Sequence, residues 1–148
     1  LDPLVASSGA DRVLTTKTAI PLGVALALVA DRVVLYPAVH PAEAGAAFVI
    51  EGAYDVGHPT VLLSDTLLDR AQAEALRALA GRVGLEIHAV VAVIDLGLGA
   101  REALEAAGFS VAAVFTLREA LPLLEDVGVL PPPMRVSVEA WLAEISLA

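Results

Sequence analysis

The stretch Val61-Leu62-Leu63-Ser64-Asp65-Thr66-Leu67-Leu68-Asp69-Arg70-Ala71-Gln72 decides the fold, because it joins a continuous apolar strand to a helix within a few residues. A strand that is apolar on both faces is typical of a parallel sheet covered by helices on both sides. The junction after such a strand is where α/β proteins bind phosphate, with helix N-terminal amides and a glycine-rich turn. This junction contains two carboxylates and no glycine. It therefore has the position of a phosphate site without the residues that a phosphate needs.

The length and hydropathy of the chain bound its organisation. Its 148 residues correspond to one domain, long enough to bury a sizeable core. The hydrophobic content of 57% and the mean hydropathy of +0.76 are high. The longest apolar run, residues 19–30, is only about half the length of a membrane span. We therefore expect a single domain over residues 1–148 with a large buried surface, which assembles as a homodimer.

The charge and the residue usage limit the partners. The net charge is −9 and the pI is near 4.6, and the basic residues are scattered, so nucleic acid and membranes are not expected partners. The chain has no cysteine or asparagine, and Gln72 and Met134 are its only glutamine and methionine. Such a scarcity of thermolabile side chains is a tendency of thermophile proteins. Residues 1–10 lack the basic and apolar regions of a secretory signal. We expect a cytoplasmic protein from a thermophile.

Hydrophobic periods and turn residues divide the chain into alternating strands and helices. Strands are predicted over residues 13–14, 33–36, 46–50, 60–63, 87–94 and 111–115. Helices are predicted over residues 20–30, 69–80, 101–107, 117–124 and 138–145. Two prolines and a glycine predict a loop over residues 37–45. This alternation predicts an α/β fold with a mostly parallel sheet and helices on both faces.

Three side-chain placements follow from this assignment. Thr116 and Glu119 have the spacing of a capping box, which would begin the helix at residue 117. Leu76 and Leu79 are expected to face the core, and Trp141 is expected to pack against the domain. Ligands of such folds bind beyond the carboxyl ends of the strands. The candidate positions are therefore residues 15–19, 64–72 and 95–100.

These three loops, in this order, resemble those of the type I phosphoribosyltransferases, and most of all the orotate phosphoribosyltransferases. Residues 13–27 (VLTTKTAIPLGVALA) resemble the family's strand, pyrophosphate loop and helix, and residues 61–79 its strand, ribose-phosphate loop and helix. Residues 93–108 (VIDLGLGAREALEAAG) resemble its Val-Asp-Arg, glycine-containing turn and helix ending in Ala-Gly, and residues 115–124 continue the similarity. The resemblance covers nearly the whole chain. It implies transfer of ribose 5-phosphate from PRPP to orotate with Mg²⁺, and a substrate-binding set of Asp65, Thr66, Lys17 and Arg70.

The chain departs from the family's pattern at several sites. Ser64-Asp65 stand where the family has two adjacent acids, and Thr18 and Ala19 stand where it has residues such as glycine. The loop between Tyr36 and Gly45 corresponds to the mobile catalytic loop, but it contains no lysine or arginine. Leu96 replaces the arginine that receives the orotate carboxylate. The N-terminal part that helps to cover the base in the family is missing from this sequence.

The phosphate turn shows the largest change. A turn that binds phosphate through its amides is easiest to build from glycine, whereas residues 68–72 read Leu-Asp-Arg-Ala-Gln. Asp69 is placed to cap the following helix, and Gln72 to complete a capping box. The helix terminus would then carry its own carboxylate, which repels a phosphate. Arg70 would offset that repulsion by ~1 kcal/mol or less at an exposed site.

Each candidate residue also has a structural alternative. Asp65 either ligates ribose hydroxyls or Mg²⁺, or caps amides at the end of its strand. Lys17 either binds phosphate or is solvated, and Asp95 is favoured as the acceptor for the amides of its own turn. His40, His58 and His88 lack the spacing of metal ligands. With no cysteine and no paired serine nucleophile, neither a catalytic residue nor a metal site is predicted.

The sequence therefore predicts an orotate phosphoribosyltransferase-like protein without transferase activity. Its role would be to bind a nucleotide, another small phosphorylated ligand or an anion, or to act as a dimeric regulatory or interaction module. The alternative is an active PRPP-dependent phosphoribosyltransferase with a divergent loop, for which Mg²⁺ would accompany PRPP. A third hypothesis is a structural subunit of a larger enzyme.

Overall fold

The computed structural model of the protein describes the backbone of residues 1–42 and 45–145 and the side chains of residues 1–39 and 49–145. The strands are β1 (Arg12–Thr15), β2 (Val33–Ala42), β3 (Gly45–Glu51), β4 (Pro59–Thr66), β5 (Glu86–Asp95) and β6 (Ser110–Thr116). The helices are α1 (Asp2–Ser7), α2 (Ile20–Ala30), α3 (Arg70–Gly81), α4 (Ala100–Ala106), α5 (Leu117–Asp126) and α6 (Pro132–Ile145). None of these helices is long and apolar enough to cross a membrane.

The strands form one sheet in the order β3-β2-β1-β4-β5-β6. All neighbours pair in parallel except β3, which is antiparallel to β2 at one edge. The chain passes from β1 to β2 in one direction along the sheet and from β4 to β5 in the other. The strand order therefore reverses between β1 and β4, where open α/β sheets form a crevice for ligands. The predicted mostly parallel sheet is confirmed.

The two faces of the sheet are covered by different helices. On one face Leu14 and Leu62 lie in a core cluster with Ala73 of α3 and Leu104 of α4. On the other face, a second cluster contains strand residues such as Val13 and Val61, with Val5 of α1 and Leu26 of α2. Successive strand residues point to opposite faces, so apolar runs of this kind fill both clusters. The prediction of helices on both faces is confirmed.

The predicted loop over residues 37–45 is wrong for residues 37–42, because β2 continues through Pro37 to Ala42, and for Gly45, which belongs to β3. Residues 43 and 44 lie outside the described residues. Pairing of β2 with β1 ends at Leu35, so the further part of β2 has β3 as its neighbour and an open edge on the other side. Pro37 and Pro41 are four residues apart, so both nitrogens face the same side of the strand. A missing N–H costs little where it faces an open edge. The strand predicted over residues 46–50 is confirmed.

Both ends of the chain also differ from the prediction. Helix α1 was not predicted; it is six residues long, too short for a periodic signal, and Val5 anchors it in the core. Helix α6 begins at Pro132, because proline is favoured in a first helical turn. The expectation that Trp141 packs inward is wrong: its exposure is 46%, and Leu142, one residue later, is the buried side chain of α6.

The predicted capping box at the start of α5 is confirmed. The Thr116 amide donates to Glu119 Oε2 at 2.8 Å, and the Glu119 amide donates to Thr116 Oγ1 at 3.2 Å. The bond from the Thr116 backbone, followed by that from its hydroxyl, holds the pKa of the Glu119 carboxyl below its usual value. Because its pKa is lowered, the stability that the Glu119 carboxylate adds to the fold is complete above the usual pKa. It is lost as the pH falls through the pKa of the folded protein.

Candidate ligand site between β1 and β4

A groove lies beyond the carboxyl ends of β1 and β4, at the reversal of strand order. Its volume is about 540 Å³. The loop after β1, the junction between β4 and α3, and the first turns of α3 supply most of the wall, and β2 adds one residue. The lining residues are Thr16, Lys17, Thr18, Pro37, Asp65, Thr66, Leu68, Gln72, Ala75 and Leu76. The sequence-predicted residues Lys17, Asp65 and Thr66 are therefore brought together around one groove.

The loop after β1 is held by its own threonines. The Thr16 amide donates to the Leu63 carbonyl at 2.9 Å, and the Thr16 and Thr18 hydroxyls lie 3.2 Å apart. Lys17, between them, is exposed and has no acidic partner among the side chains that the structure describes. A loop fixed on both sides of a free ammonium group presents that group to the groove.

Gly23 of α2 also positions this loop, which the sequence reasoning did not identify. A Cβ atom at Gly23 would lie 2.5 Å from Thr15 Cγ2 and 3.0 Å from Val34 Cγ1. Helix α2 therefore packs directly on β1 and β2, close to where β1 ends. The sequence shows a glycine in the first turn of an otherwise apolar helix. Its role in close packing can be recognised only when the strands that lie beneath the helix are known.

Asp65 connects the two sides of the groove. Its Oδ1 accepts a hydrogen bond from Thr18 Oγ1 at 3.0 Å and another from the Thr66 amide at 3.0 Å. Its second oxygen, Oδ2, has no partner among the described residues. The bond to the Thr66 amide is the strand-end capping role that the sequence left as an alternative. The free oxygen still offers an acceptor to a ligand.

Arg70 lies apart from the other predicted ligands. Its Nε donates to Glu74 Oε1 at 2.9 Å along the exposed surface of α3, and it is not among the residues that line the groove. The spacing of four residues along a helix makes this pairing favourable. The geometry assigns Arg70 to the surface of α3 rather than to the ligand site.

The N-terminus of α3 is closed by the protein itself. Asp69 has extended backbone angles, and its Oδ1 accepts the Gln72 amide at 2.8 Å. This confirms the predicted N-cap. The reciprocal half of the predicted capping box is absent among the described residues, because the Gln72 side chain lines the groove instead. The preceding turn is tied down too: the Leu67 amide bonds to the Ile94 carbonyl at 3.0 Å, and Leu68 is buried in the core.

Replacing Asp69 with alanine is expected to lower the free energy of unfolding by about 1 kcal/mol, because the first turn of α3 loses its cap. Equilibrium urea unfolding would measure this change. Asp69→Asn is the matched control, since asparagine caps helices about as well as aspartate. A stability loss for the asparagine variant equal to that for alanine would show that the carboxylate acts by something other than capping.

The third loop is built around a buried carboxylate. Asp95 is 4% exposed; its Oδ1 accepts the Gly97 amide at 2.9 Å and its Oδ2 accepts Arg101 Nε at 2.9 Å. This confirms the structural interpretation of Asp95. Arg101 also donates through Nη1 to the Val111 carbonyl at 3.1 Å. The sequence reasoning did not predict this ion pair, which fixes α4 to the end of β5 and to β6.

Leu96 lines a smaller cavity of about 180 Å³ beside the start of α5. Arg118 lines it as well, and it has no acidic partner among the described residues. No role for Arg118 was predicted from the sequence. Within residues 1–39 and 49–145, no group of three histidine, cysteine, aspartate or glutamate side chains could hold a metal ion.

The sheet order, the helices on its faces and the groove at the strand reversal define the type I phosphoribosyltransferase fold. Solved structures with this fold include orotate phosphoribosyltransferases and related enzymes. UMP synthase of Leishmania donovani superposes with a TM-score of 0.81 at 24% identity over 97% of this chain and 31% of that chain. The orotate phosphoribosyltransferase of Mycobacterium tuberculosis, in complex with inorganic phosphate, superposes with a TM-score of 0.63 at 25% identity over 79% of this chain and 66% of that chain.

The similarity extends to other members of the fold. The orotate phosphoribosyltransferase of Aeropyrum pernix gives a TM-score of 0.65 at 21% identity, over 84% of this chain and 68% of that chain. The chain thus spans about a third of the UMP synthase and about two thirds of the two orotate phosphoribosyltransferases. No protein-family model matches the sequence, and no curated protein matches it significantly. The protein is orotate phosphoribosyltransferase-like in fold.

Proposed function

We propose that the protein is a catalytically inactive, orotate phosphoribosyltransferase-like protein that binds a small nucleotide-related ligand in the groove and has a regulatory role. The observation that carries this proposal is the bond between Asp69 Oδ1 and the Gln72 amide at 2.8 Å. Helix N-terminal amides are the groups that bind phosphate in such folds. Here an internal carboxylate already uses one of them. A phosphate would have to displace that carboxylate or lie against its negative charge.

The charge around the groove also argues against catalysis. Transfer from PRPP releases pyrophosphate, and stabilising the developing charge is the largest contribution that an enzyme makes to such a step. Lys17 is the one cation among the described side chains of the groove, and Asp65 in the same lining carries the opposite charge. The segment over residues 37–45 supplies no lysine or arginine. The groove therefore lacks the positive charge that the reaction needs.

A turnover assay tests the proposal. We expect the protein, supplied with Mg²⁺, PRPP and orotate, to release no pyrophosphate above the background without protein. An active orotate phosphoribosyltransferase assayed in parallel is the positive control. Adenine and other bases belong in the same assay, because Leu96 stands where the orotate enzymes have the arginine that receives the orotate carboxylate. Steady, protein-dependent formation of a nucleotide with any base would overturn the proposal.

The alternative is an active transferase with a divergent loop, and the shared groove of Lys17, Asp65 and Thr66 is the observation that favours it. In that function these residues hold PRPP with Mg²⁺, and Arg70 must leave Glu74 to join them. Saturating PRPP and Mg²⁺ would then stabilise the fold by about 2.7 kcal/mol at a concentration of one hundred times Kd. Unchanged thermal stability under these conditions counts against the alternative.

We also propose that the protein is a homodimer joined through α2. This helix has no polar side chain from Ile20 to Ala30, and Leu28 and Val29 are 83% and 87% exposed. A helix that is apolar on all sides is normally buried. A second copy is the occupant that we favour, because an uncharged surface lets two chains of net charge −9 meet with the least repulsion.

Changing Val29 to glutamate is expected to convert the dimer to a monomer, because two buried carboxylates would face each other across the interface. Sedimentation velocity at a few protein concentrations would measure the change. Val56→Glu is the matched control, since Val56 is 83% exposed but lies far along the chain, in the turn before β4. A monomeric starting protein, or equal dissociation by both variants, would contradict the α2 interface.

The composition supports a cytoplasmic location and a thermophilic source, which we propose on the absence of cysteine and asparagine. A melting temperature above about 65 °C, the upper end of the range for mesophile domains, is the expected result. A melting temperature well inside the mesophile range would remove the argument for a thermophilic source.

A further inference from the structure

We propose that the groove between β1 and β4 is specific for a nucleoside without a 5′-phosphate. This inference rests on the proposed function, because it names the class of ligand that the groove takes. Three properties of the groove lead to it: the charge of its lining, the combination of polar and apolar residues that line it, and the unpaired hydrogen-bonding groups that it presents.

The lining is electrically balanced. Lys17 contributes one positive charge and Asp65 one negative charge, and the remaining lining residues are neutral. Asp69, the N-cap of α3, adds a second carboxylate beside the lining residue Leu68. Arg70, which would offset it, is paired with Glu74. A ligand that carries a phosphate dianion would therefore be repelled by the two carboxylates, with only one positive charge to offset them. A neutral ligand meets no such repulsion.

The groove is lined by polar and apolar residues that come largely from different elements. Three threonines, Lys17 and Asp65 lie in the loop after β1 and at the end of β4. The apolar residues are Pro37 of β2, Leu68 of the junction before α3, and Ala75 and Leu76 of α3. A nucleoside combines the same two kinds of surface, since its sugar is rich in hydroxyls and its base is a flat ring with apolar faces.

The unpaired groups suit these two parts. Asp65 Oδ1 already accepts two hydrogen bonds, which leaves Oδ2 to accept the hydroxyl groups of a sugar. The Gln72 side chain has no partner among the described residues, and it lines the groove on the same helix face as Leu76. A carboxamide both donates and accepts, which is what the polar edge of a base requires. The ligand would thus lie with its sugar at Asp65 and its base against Gln72 and Leu76 of α3.

Isothermal titration calorimetry with uridine, cytidine, adenosine and guanosine, each against its 5′-monophosphate and against ribose, tests this assignment. We expect saturable binding of at least one nucleoside, at least tenfold tighter than that of its monophosphate and of ribose. Equal or tighter binding of the monophosphate would overturn the nucleoside specificity while leaving the loss of transfer intact. Binding of none of these compounds would overturn the inference and the ligand-binding part of the proposed function together.

Asp65→Asn sharpens the test, because it removes one negative charge and one acceptor without changing the shape of the side chain. We expect this variant to bind the nucleoside at least tenfold more weakly and to lose most of its discrimination against the monophosphate. A purely structural role for Asp65 would weaken both ligands equally, which would contradict the assignment. Glu144→Gln is the control: it removes an exposed carboxylate on α6, outside the groove, and should leave both affinities unchanged. Turnover with PRPP is measured separately, so its appearance would refute the proposed function without bearing on these ratios.

Discussion

Replacing Arg101 with leucine is expected to lower the free energy of unfolding by about 3 kcal/mol. The Asp95 side chain is 6% exposed, and Arg101 Nε lies 2.9 Å from its Oδ2. Removing one partner of a buried ion pair typically costs about 3–5 kcal/mol, because the remaining charge is left without compensation. The lower end of this range applies, since the Arg101 side chain is 32% exposed and water can partly replace it. Urea unfolding would measure the loss.

Arg70→Leu provides the matched control for Arg101→Leu. Arg70 has the same Nε-to-carboxylate distance of 2.9 Å to Glu74, but both side chains of that pair are more than a third exposed. Exposed pairs contribute about 0–1 kcal/mol, so the control should change stability little. Adding Asp95→Asn to Arg101→Leu should recover part of the loss by removing the buried charge. Equal losses for Arg101→Leu and Arg70→Leu would contradict the role assigned to the buried pair.

Leu62→Ala is expected to lower the free energy of unfolding by about 3–4 kcal/mol. Leu62 is fully buried in β4, where it pairs with Leu14 of β1 and Val90 of β5 in the middle of the sheet. Neighbouring strands cannot move together to fill the space, so the loss of contacts and the remaining cavity both contribute. Urea unfolding with an unchanged dependence on denaturant would identify a simple loss of stability.

Leu123→Ala is the control for this cavity effect, because Leu123 is 51% exposed on α5. The same chemical change there should alter stability by less than about 0.5 kcal/mol, as is usual for surface positions. If the Leu62 variant lost no more than the Leu123 variant, Leu62 would not lie in a closely packed centre of the sheet.

The strands of the sheet were predictable where the pattern within a short stretch of sequence is sufficient to identify them. β4 and β5 are apolar on both faces, and that pattern is legible in any short window. The hairpin of β2 and β3 was not predictable in the same way. Whether Pro37 breaks a strand depends on whether another strand needs its N–H, and the absence of β1 beside that part of β2 is a property of the whole sheet.

The helix caps show the same division. The Asp69 cap and the Thr116 capping box were predictable, because each joins groups three residues apart. The side chain of Gln72 could turn back to the helix or out to the groove, and only the shape of the groove decides this. The faces of α6 differ little in hydrophobicity, so the sequence does not indicate which face is buried. Trp141 was therefore assigned to the buried face instead of Leu142.

The candidate site was predictable in position and only partly in content. Lys17, Asp65 and Thr66 were identified from their place after strands, and the structure gathers them at one groove. Arg70 was close in sequence but is rotated away towards Glu74. The role of Gly23 and the pairing of Arg101 with Asp95 depend on contacts between elements that no local pattern contains. The closed terminus of α3, by contrast, follows from two residues and their spacing.

The central claim is that Asp69 occupies the place where a phosphate would bind. A titration with Mg²⁺ and PRPP, followed by NMR at the backbone amide of Gln72, tests it most directly. This amide donates the hydrogen bond to Asp69 Oδ1, at 2.8 Å. We expect the Gln72 amide signal to stay unchanged throughout the titration. A saturable shift of that signal, accompanied by shifts at the neighbouring amides of α3, would show that phosphate displaces the carboxylate and would contradict the claim.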